Sequence, residues 1–219
     1  MQIKNFFLEL FFPEFCLNCG KLGPPLCANC YNDLKFYFIA NQKDEMKKNL
    51  NKIYFDNLQI MANFSGCLAK LIKAIKYENG RNIAYFLAKM LYRHQIIPQV
   101  DMITFIPLHP YKLRSRGYNQ GQIIAFELGR ITNLPVKNLL FKKENTLAQA
   151  TIKNQEERLA RMQNLFTVQE KYKQLIQNKK ILLLDDIVTT GATINSASQV
   201  LKVAQVKQIF AIALGSKME

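Results

Sequence analysis

Ile181-Leu182-Leu183-Leu184-Asp185-Asp186-Ile187-Val188-Thr189-Thr190-Gly191-Ala192-Thr193 decides how the rest of this chain is read. A short apolar run meets two adjacent carboxylates, then a Thr/Gly turn, then small and apolar residues at helical spacing from Ala192 to Ala204. Four apolar residues in succession predict a buried strand of a parallel sheet. The turn is then placed at the carboxyl end of a strand and the amino end of a helix. Free amides and the helix dipole favour a phosphate there. Carboxylates beside a phosphate repel it unless something lies between. A sugar phosphate meets the need, with its 5′-phosphate in the turn and its hydroxyls donating to Asp185 and Asp186. Mg²⁺ would accompany a pyrophosphate. Neither Gly-x-x-x-x-Gly-Lys-Ser/Thr nor Gly-x-Gly-x-x-Gly occurs. The plainer alternative is that Asp-Asp ends a strand and a Thr caps a helix.

Near the amino terminus, Cys16-x-x-Cys19 and Cys27-x-x-Cys30 stand seven residues apart, with Gly20, Gly23, Pro24 and Pro25 between them. Two such pairs suit a tetrahedral, four-thiolate Zn²⁺ site with no open position, hence a structural one. Two disulfides are the rival and would need an oxidising compartment. Cys67 is expected to be a small core residue.

The chain has 219 residues, 49% hydrophobic and 21% charged, enough for one medium domain and a small appended module. No run approaches the roughly 18 apolar residues of a membrane span. The aromatic start, Asn5 to Phe12, is broken by Glu9 and lacks the pattern of a cleaved leader. It is read as packing against the cysteine module or a partner, with peripheral membrane contact as an alternative.

The formal net charge is +14, unevenly spread. Residues 61–99 carry six basic groups and one acidic group. On a helix from Gly66, Leu68, Leu71, Ile72 and Ile75 form the apolar stripe, and Lys70, Lys73 and Lys76 run along another side. With Arg114, these lysines are candidates for a nucleic-acid backbone. A solvated face is the plain alternative.

From residue 66 on, helical and strand patterns alternate. Helices are expected over Gly66–Tyr77, Asn82–His94 and Gln120–Ile131, with short ones over Gln155–Met162 and Glu170–Gln177. Strands are expected near Lys52–Ala62, at Met102–Pro107, Leu134–Lys137, around Phe166, at Lys180–Asp185, and at Val206–Leu214, which closes the sheet. The fold class is therefore α/β, a parallel sheet with helices on both faces. The division is 1–40 for the cysteine module, 41–60 for a polar linker and entering strand, and 61–219 for the α/β domain. Ligands of such sheets bind at the carboxyl ends of the strands.

The stretch Ile181–Thr193 resembles the phosphoribosyl-pyrophosphate (PRPP) motif of type I phosphoribosyltransferases. The whole order of motifs resembles the ComF competence family. Ile106-Pro107-Leu108-His109 is similar to its Pro-Leu-His turn, and Arg116-Gly117-Tyr118-Asn119-Gln120 to its Arg-Gly-Phe/Tyr-Asn-Gln signature. Thr146 with Gln149, and Glu157-Arg158 ahead of Phe166, match further pieces. Phe105 and Arg161 depart from the family pattern, which has Pro and Asn there. The resemblance implies a phosphoribosyltransferase-like domain behind a zinc module. It assigns Asp185 and Asp186 to ribose hydroxyls and Thr189, Thr190, Gly191, Ala192 and Thr193 to the 5′-phosphate. Pro107, Leu108 and His109, with Mg²⁺, would hold the pyrophosphate, and Arg116 would close over it. His109 also reads as a structural residue, and Arg158 as a helix-pairing one. The function implied is DNA uptake in natural transformation, binding single-stranded DNA on the cytoplasmic side and PRPP in a retained site, alongside uptake-machinery proteins. A PRPP-dependent transferase of nucleotide salvage and a scaffold with a vestigial site are the competing readings. No acceptor pocket is visible in the sequence.

Overall fold

The computed structural model describes residues 15–37, 43–48, 50–77, 80–95, 97–143 and 165–217. The aromatic start, Thr146, Gln149, Glu157, Arg158, Arg161 and the helix expected over Gln155–Met162 lie outside them.

Four strands form one parallel sheet. They are β1 (Asn57–Asn63), β2 (Met102–Phe105), β5 (Lys180–Val188) and β6 (Gln208–Ser216), in the order β1-β6-β5-β2. The last strand therefore lies inside the sheet, between β1 and β5, rather than closing its edge. Two further strands, β3 (Leu140–Lys142) and β4 (Phe166–Val168), pair antiparallel in a separate ribbon. The strand expected at Leu134–Lys137 is reduced to a single parallel bridge between Val136 and Ile103. Pro135 precedes it and has no amide to give a ladder.

Alternation along the strands divides the core in two. Helix α1 (Ala28–Asn32) lies in the cysteine-bearing segment. Leu182 and Leu184 of β5, with Ile212 and Leu214 of β6, face helices α2 (Gly66–Tyr77), α3 (Arg81–His94) and α5 (Gln120–Thr132). Ile181 and Leu183, with Ile209, Ala211 and Ala213, face α6 (Ala192–Val203) and the β3–β4 ribbon. The expected α2 stripe is realised, since Leu68, Leu71, Ile72 and Ile75 are all fully buried. At roughly 1.5–3 kcal/mol per large side chain, their burial is a main contribution to holding the helix in place.

Two elements go beyond what the sequence predicts. Helix α4 (Pro110–Arg116) occupies part of the stretch that reads only as a signature. Its punctuation is present in the sequence, with Pro110 at the first position and Gly117 (φ 80°) at the C-cap. Within the stretch that reads as a polar linker, Lys43–Lys48 forms a 3-10 helix whose Met46 is fully buried. Asn195 of α6 ties the following segment down, accepting from the Tyr54 amide at 2.8 Å and donating to the Lys52 carbonyl at 2.8 Å.

Candidate functional site

Strand β5 does not stop at the carboxylates. It runs on to Val188, still paired to β6 through Val188 and Ser216. Adjacent strand residues point to opposite faces. Asp185 therefore faces the α6 and ribbon side, and Asp186 the α5 side. The two also engage backbone donors. Asp185 Oδ1 accepts from the Asp186 amide and Asp186 Oδ1 from the Ile187 amide, each at 2.8 Å. Burial, and then the Asp186 charge, push the Asp185 carboxyl up to about 8. Lys142 of β3 is the nearby cation acting against that rise. Burial, and then Lys112 of α4, lower the ammonium pKa of Lys142 in turn.

Asp186 is braced from α5. Gln120 Nε2 donates to Asp186 Oδ2 at 2.7 Å, and Arg116 Nη1 donates to Gln120 Oε1 at 2.6 Å. The other members of the Arg-Gly-Tyr-Asn-Gln stretch set that brace. Gly117 supplies the left-handed turn. The Tyr118 hydroxyl donates to the Ile75 carbonyl of α2. Asn119 caps α5 by accepting from the amides of Gly121 (2.9 Å) and Gln122 (3.4 Å), and donates to the Ile106 carbonyl at 3.0 Å. Arg116, expected to close over a pyrophosphate, thus reaches the site through Gln120 here. Gln120, 4% exposed, belongs to the signature, yet the sequence does not mark it as a site residue. Lys142 is invisible to sequence reasoning too, because nothing in its local sequence separates it from any other lysine.

The Pro107–His109 turn leaves the sheet beside Asp185, because Phe105 pairs with Leu184 and the Ile106 amide donates to the Leu184 carbonyl at 2.9 Å. Pro107 is buried, and Leu108 and His109 are half-buried. His109 Nδ1 accepts from the Tyr111 amide at 3.2 Å and so caps α4. The turn after β5 follows with Thr189 and Thr190 exposed and Gly191 buried in the left-handed region, φ 75°. Gly191 is the N-cap of α6 and gives no side-chain acceptor to its first turn. Thr190 Oγ1 accepts from the Ala192 amide at 3.4 Å. Ala192 and Thr193 are half-buried in that first turn. A methyl group on Gly191 would lie 2.6 Å from the sulfur of Met46, so the 3-10 helix is seated directly on the turn.

The four cysteines gather in the amino-terminal segment. Their sulfurs lie within 4.8 Å of one another, and those of Cys19 and Cys27 are 3.7 Å apart. Four thiolates about 2.3 Å from one Zn²⁺ would stand about 3.8 Å apart, so the residues fit that metal. None is disulfide-bonded. Burial disfavours the Cys16 thiolate, but the Cys27, Cys19 and Asn18 amides outweigh it and bring the thiol down to about 6. Cys30 accepts from the Asn18 side-chain amide at 3.3 Å, which favours its thiolate. Burial and the other three sulfurs push its thiol up to about 12. Four thiols this close cannot all ionise without a cation between them. Cys67 is buried beside them, as expected for a core residue. The module docks on the sheet domain through Lys70 of α2, which donates to the Asn18 carbonyl at 3.2 Å. Tyr31 is hydrogen-bonded to His94 of α3, whose ring stacks on Phe36 with centroids 3.8 Å apart.

The lysine stripe is only partly placed. Lys73 and Arg114 are exposed, Lys70 is engaged with the cysteine module, and the Lys76 side chain lies outside the described residues. No helix among the described residues is long and apolar enough to cross a membrane.

A parallel sheet carries an acidic pair and a Thr/Gly turn at its carboxyl edge, with helices on both faces, the order that the resemblance to type I phosphoribosyltransferases implies. A four-cysteine cluster is joined to it, and the chain is similar in sequence to competence proteins. It is 27% identical over 206 residues to competence protein F of Haemophilus influenzae, covering 89% of this chain and 86% of that one. It is 35% identical over 109 residues to competence protein ComFC of Streptococcus pneumoniae, covering 50% of this chain and 45% of the other. DNA utilization protein YhgH of Escherichia coli is 22% identical over 154 residues, 67% of this chain and 66% of that protein. No family model matches the chain. Solved structures that overlap it include the allosteric regulatory enzyme of purine biosynthesis (TM-score 0.46, 16% identity, 65% of this chain and 30% of that one). Adenine phosphoribosyltransferase from Leishmania tarentolae is another (TM-score 0.37, 12% identity, 72% and 76%). The chain thus spans under a third of the first of these enzymes.

Proposed function

We propose that this chain is a DNA-uptake factor that binds single-stranded DNA on the cytoplasmic side and holds PRPP in its phosphoribosyltransferase-like site. The observation that carries the PRPP part is the meeting, at one sheet edge, of Asp185, Asp186 and the Thr189–Thr193 turn. The role in uptake is supported by the names of the relatives, competence protein F and ComFC among them.

In this reading the turn amides and the threonine hydroxyls take the 5′-phosphate. Asp185 and Asp186 accept from ribose hydroxyls, with Gln120 holding Asp186 in place. Mg²⁺, when bound with the pyrophosphate, supplies charge neutralisation at the leaving group. The Pro107–His109 turn and Lys142 line the side where that group would lie. If transfer occurs, the chain's own part is to orient the donor and keep water from an oxocarbenium-like centre. The four cysteines hold a structural Zn²⁺.

The salvage reading shares the donor site and differs in needing an acceptor. Pyrophosphate release from PRPP with any common nucleobase would favour it. The DNA part is tested by titrating labelled single-stranded DNA with the full chain at low salt. Saturable binding that weakens steeply with salt is expected. Absence of binding would remove the DNA half of the proposal.

A further inference from the structure

The outer faces of α3 and α5 carry an aromatic and cationic strip that no motif in the sequence singles out. Tyr85, Lys89 and Tyr92 recur on one side of α3, and Phe126 and Arg130 on one side of α5. The two lines meet at the Tyr85 ring. Lys89 Nζ lies 4.3 Å from its centroid and the Arg130 guanidinium 5.1 Å. One ring therefore gathers two positive charges that would otherwise repel. Large apolar rings stand exposed on either side, Tyr92 and Phe126 both at 51%. Beside Phe126 and Arg130, an open recess of about 450 Å³ continues to Leu134 and Pro135.

The charges on these helices favour an anion. Lys89, Arg93 and Arg130 are exposed here, and Glu127, paired to Arg130 at 3.0 Å, is the one carboxylate in the two helices. Cations flanked by unburied aromatic rings are what a single strand needs, phosphates to the former and bases stacked on the latter. A protein interface also draws on Tyr, Phe and Arg but is depleted in Lys, whereas here Lys89 lies against the Tyr85 ring at the meeting point of the two lines. By contrast, Lys70 of α2 is already engaged, donating to the Asn18 carbonyl.

We infer that the α3–α5 face, through Tyr85, Lys89, Tyr92, Phe126 and Arg130, is the surface on which single-stranded DNA stacks. This rests on the DNA reading proposed above and assigns it a place. The face is built from the helices packed on the α5 side of the sheet, the side from which Gln120 reaches Asp186.

The test is fluorescence anisotropy of a labelled oligo-dT of about twenty nucleotides, with the full-length chain at low salt. Tyr92→Ala with Phe126→Ala is expected to weaken binding about tenfold or more. Lys89→Glu with Arg130→Glu should weaken it and flatten the salt dependence. Lys73→Glu should do much less than either. If wild type binds and both double variants bind within about twofold of it, the inference is overturned while the DNA reading stands. It is overturned likewise if Lys73→Glu is the variant that loses binding, or if the α3–α5 variants change only the oligomeric state. If wild type does not bind, the DNA reading itself fails. Photo-crosslinking of iodouridine-substituted DNA to the wild-type chain guards against misfolded variants. Adducts at Tyr92 or Phe126 support the inference, and adducts confined elsewhere overturn it.

Discussion

Asp185 is the residue on which the site's electrostatics turn. An unfolded Asp keeps its proton only below about 4, whereas burial and Asp186 hold the folded one protonated up to about 8. Between those values the folded state binds the extra proton, so raising the pH works against the fold. The melting temperature is therefore expected to fall as pH rises from about 5 to about 8. Asp185→Asn, neutral throughout, should flatten that slope in a thermal melt series. An unchanged slope would show that the carboxyl is not held neutral. Gly191 makes a second residue-scale prediction. Alanine there meets both the left-handed backbone and the Met46 sulfur, for a cost on the order of 1–3 kcal/mol in denaturant unfolding. Met46→Ala also destabilises, by leaving a cavity. Because it removes the atom that the new methyl would strike, the double variant should be less destabilised than the sum of the two. Simple additivity would mean that Met46 does not cover the turn.

At the scale of elements, the parallel strands and their flanking helices are legible in the sequence, because each buries a face with its own period. The run from Ile181 to Leu184 is apolar at every position, as a strand covered on both faces must be, and α2 shows the 3.6-residue stripe without interruption. Position in the sheet is not legible, since β6 reaches the middle through partners distant in sequence. Nor is the end of β5, because carboxylates suggest a strand terminus when no hydrogen-bonded neighbour is known, and β6 carries the ladder past them. The brace from Arg116 through Gln120 to Asp186 is hidden for the same reason, as its last step crosses 66 residues. Its strength can be measured. Gln120→Ala should weaken PRPP binding by about tenfold, the worth of a hydrogen bond to a charged group, while Tyr118→Phe should lower stability by about 1 kcal/mol and cost PRPP affinity less than Gln120→Ala does. The cysteine cluster is readable from spacing alone, because a knuckle is local. One zinc per chain is expected by metal analysis. Chelation should lower the melting temperature, and Cys30→Ser should reproduce that loss.

For the whole molecule, the proposed function asks a charge of +14 to supply the attraction to nucleic acid and the sheet edge to supply a place for a sugar phosphate. The two surfaces are linked through α5, which carries Gln120 at its start and Phe126 and Arg130 further along. If DNA and PRPP influence each other, the effect must be reciprocal, each changing the other's affinity by the same factor. That coupling matters only if the sugar-phosphate site is occupied at all. The most direct measurement is a calorimetric titration of PRPP with Mg²⁺ into the full-length chain and into the Asp185→Asn, Asp186→Asn double variant. Saturable binding to the wild-type chain, lost in the variant while its fold persists, is the predicted result. No binding to wild type, or binding of equal strength to both, would contradict the assignment of Asp185, Asp186 and the Thr189–Thr193 turn as a PRPP site.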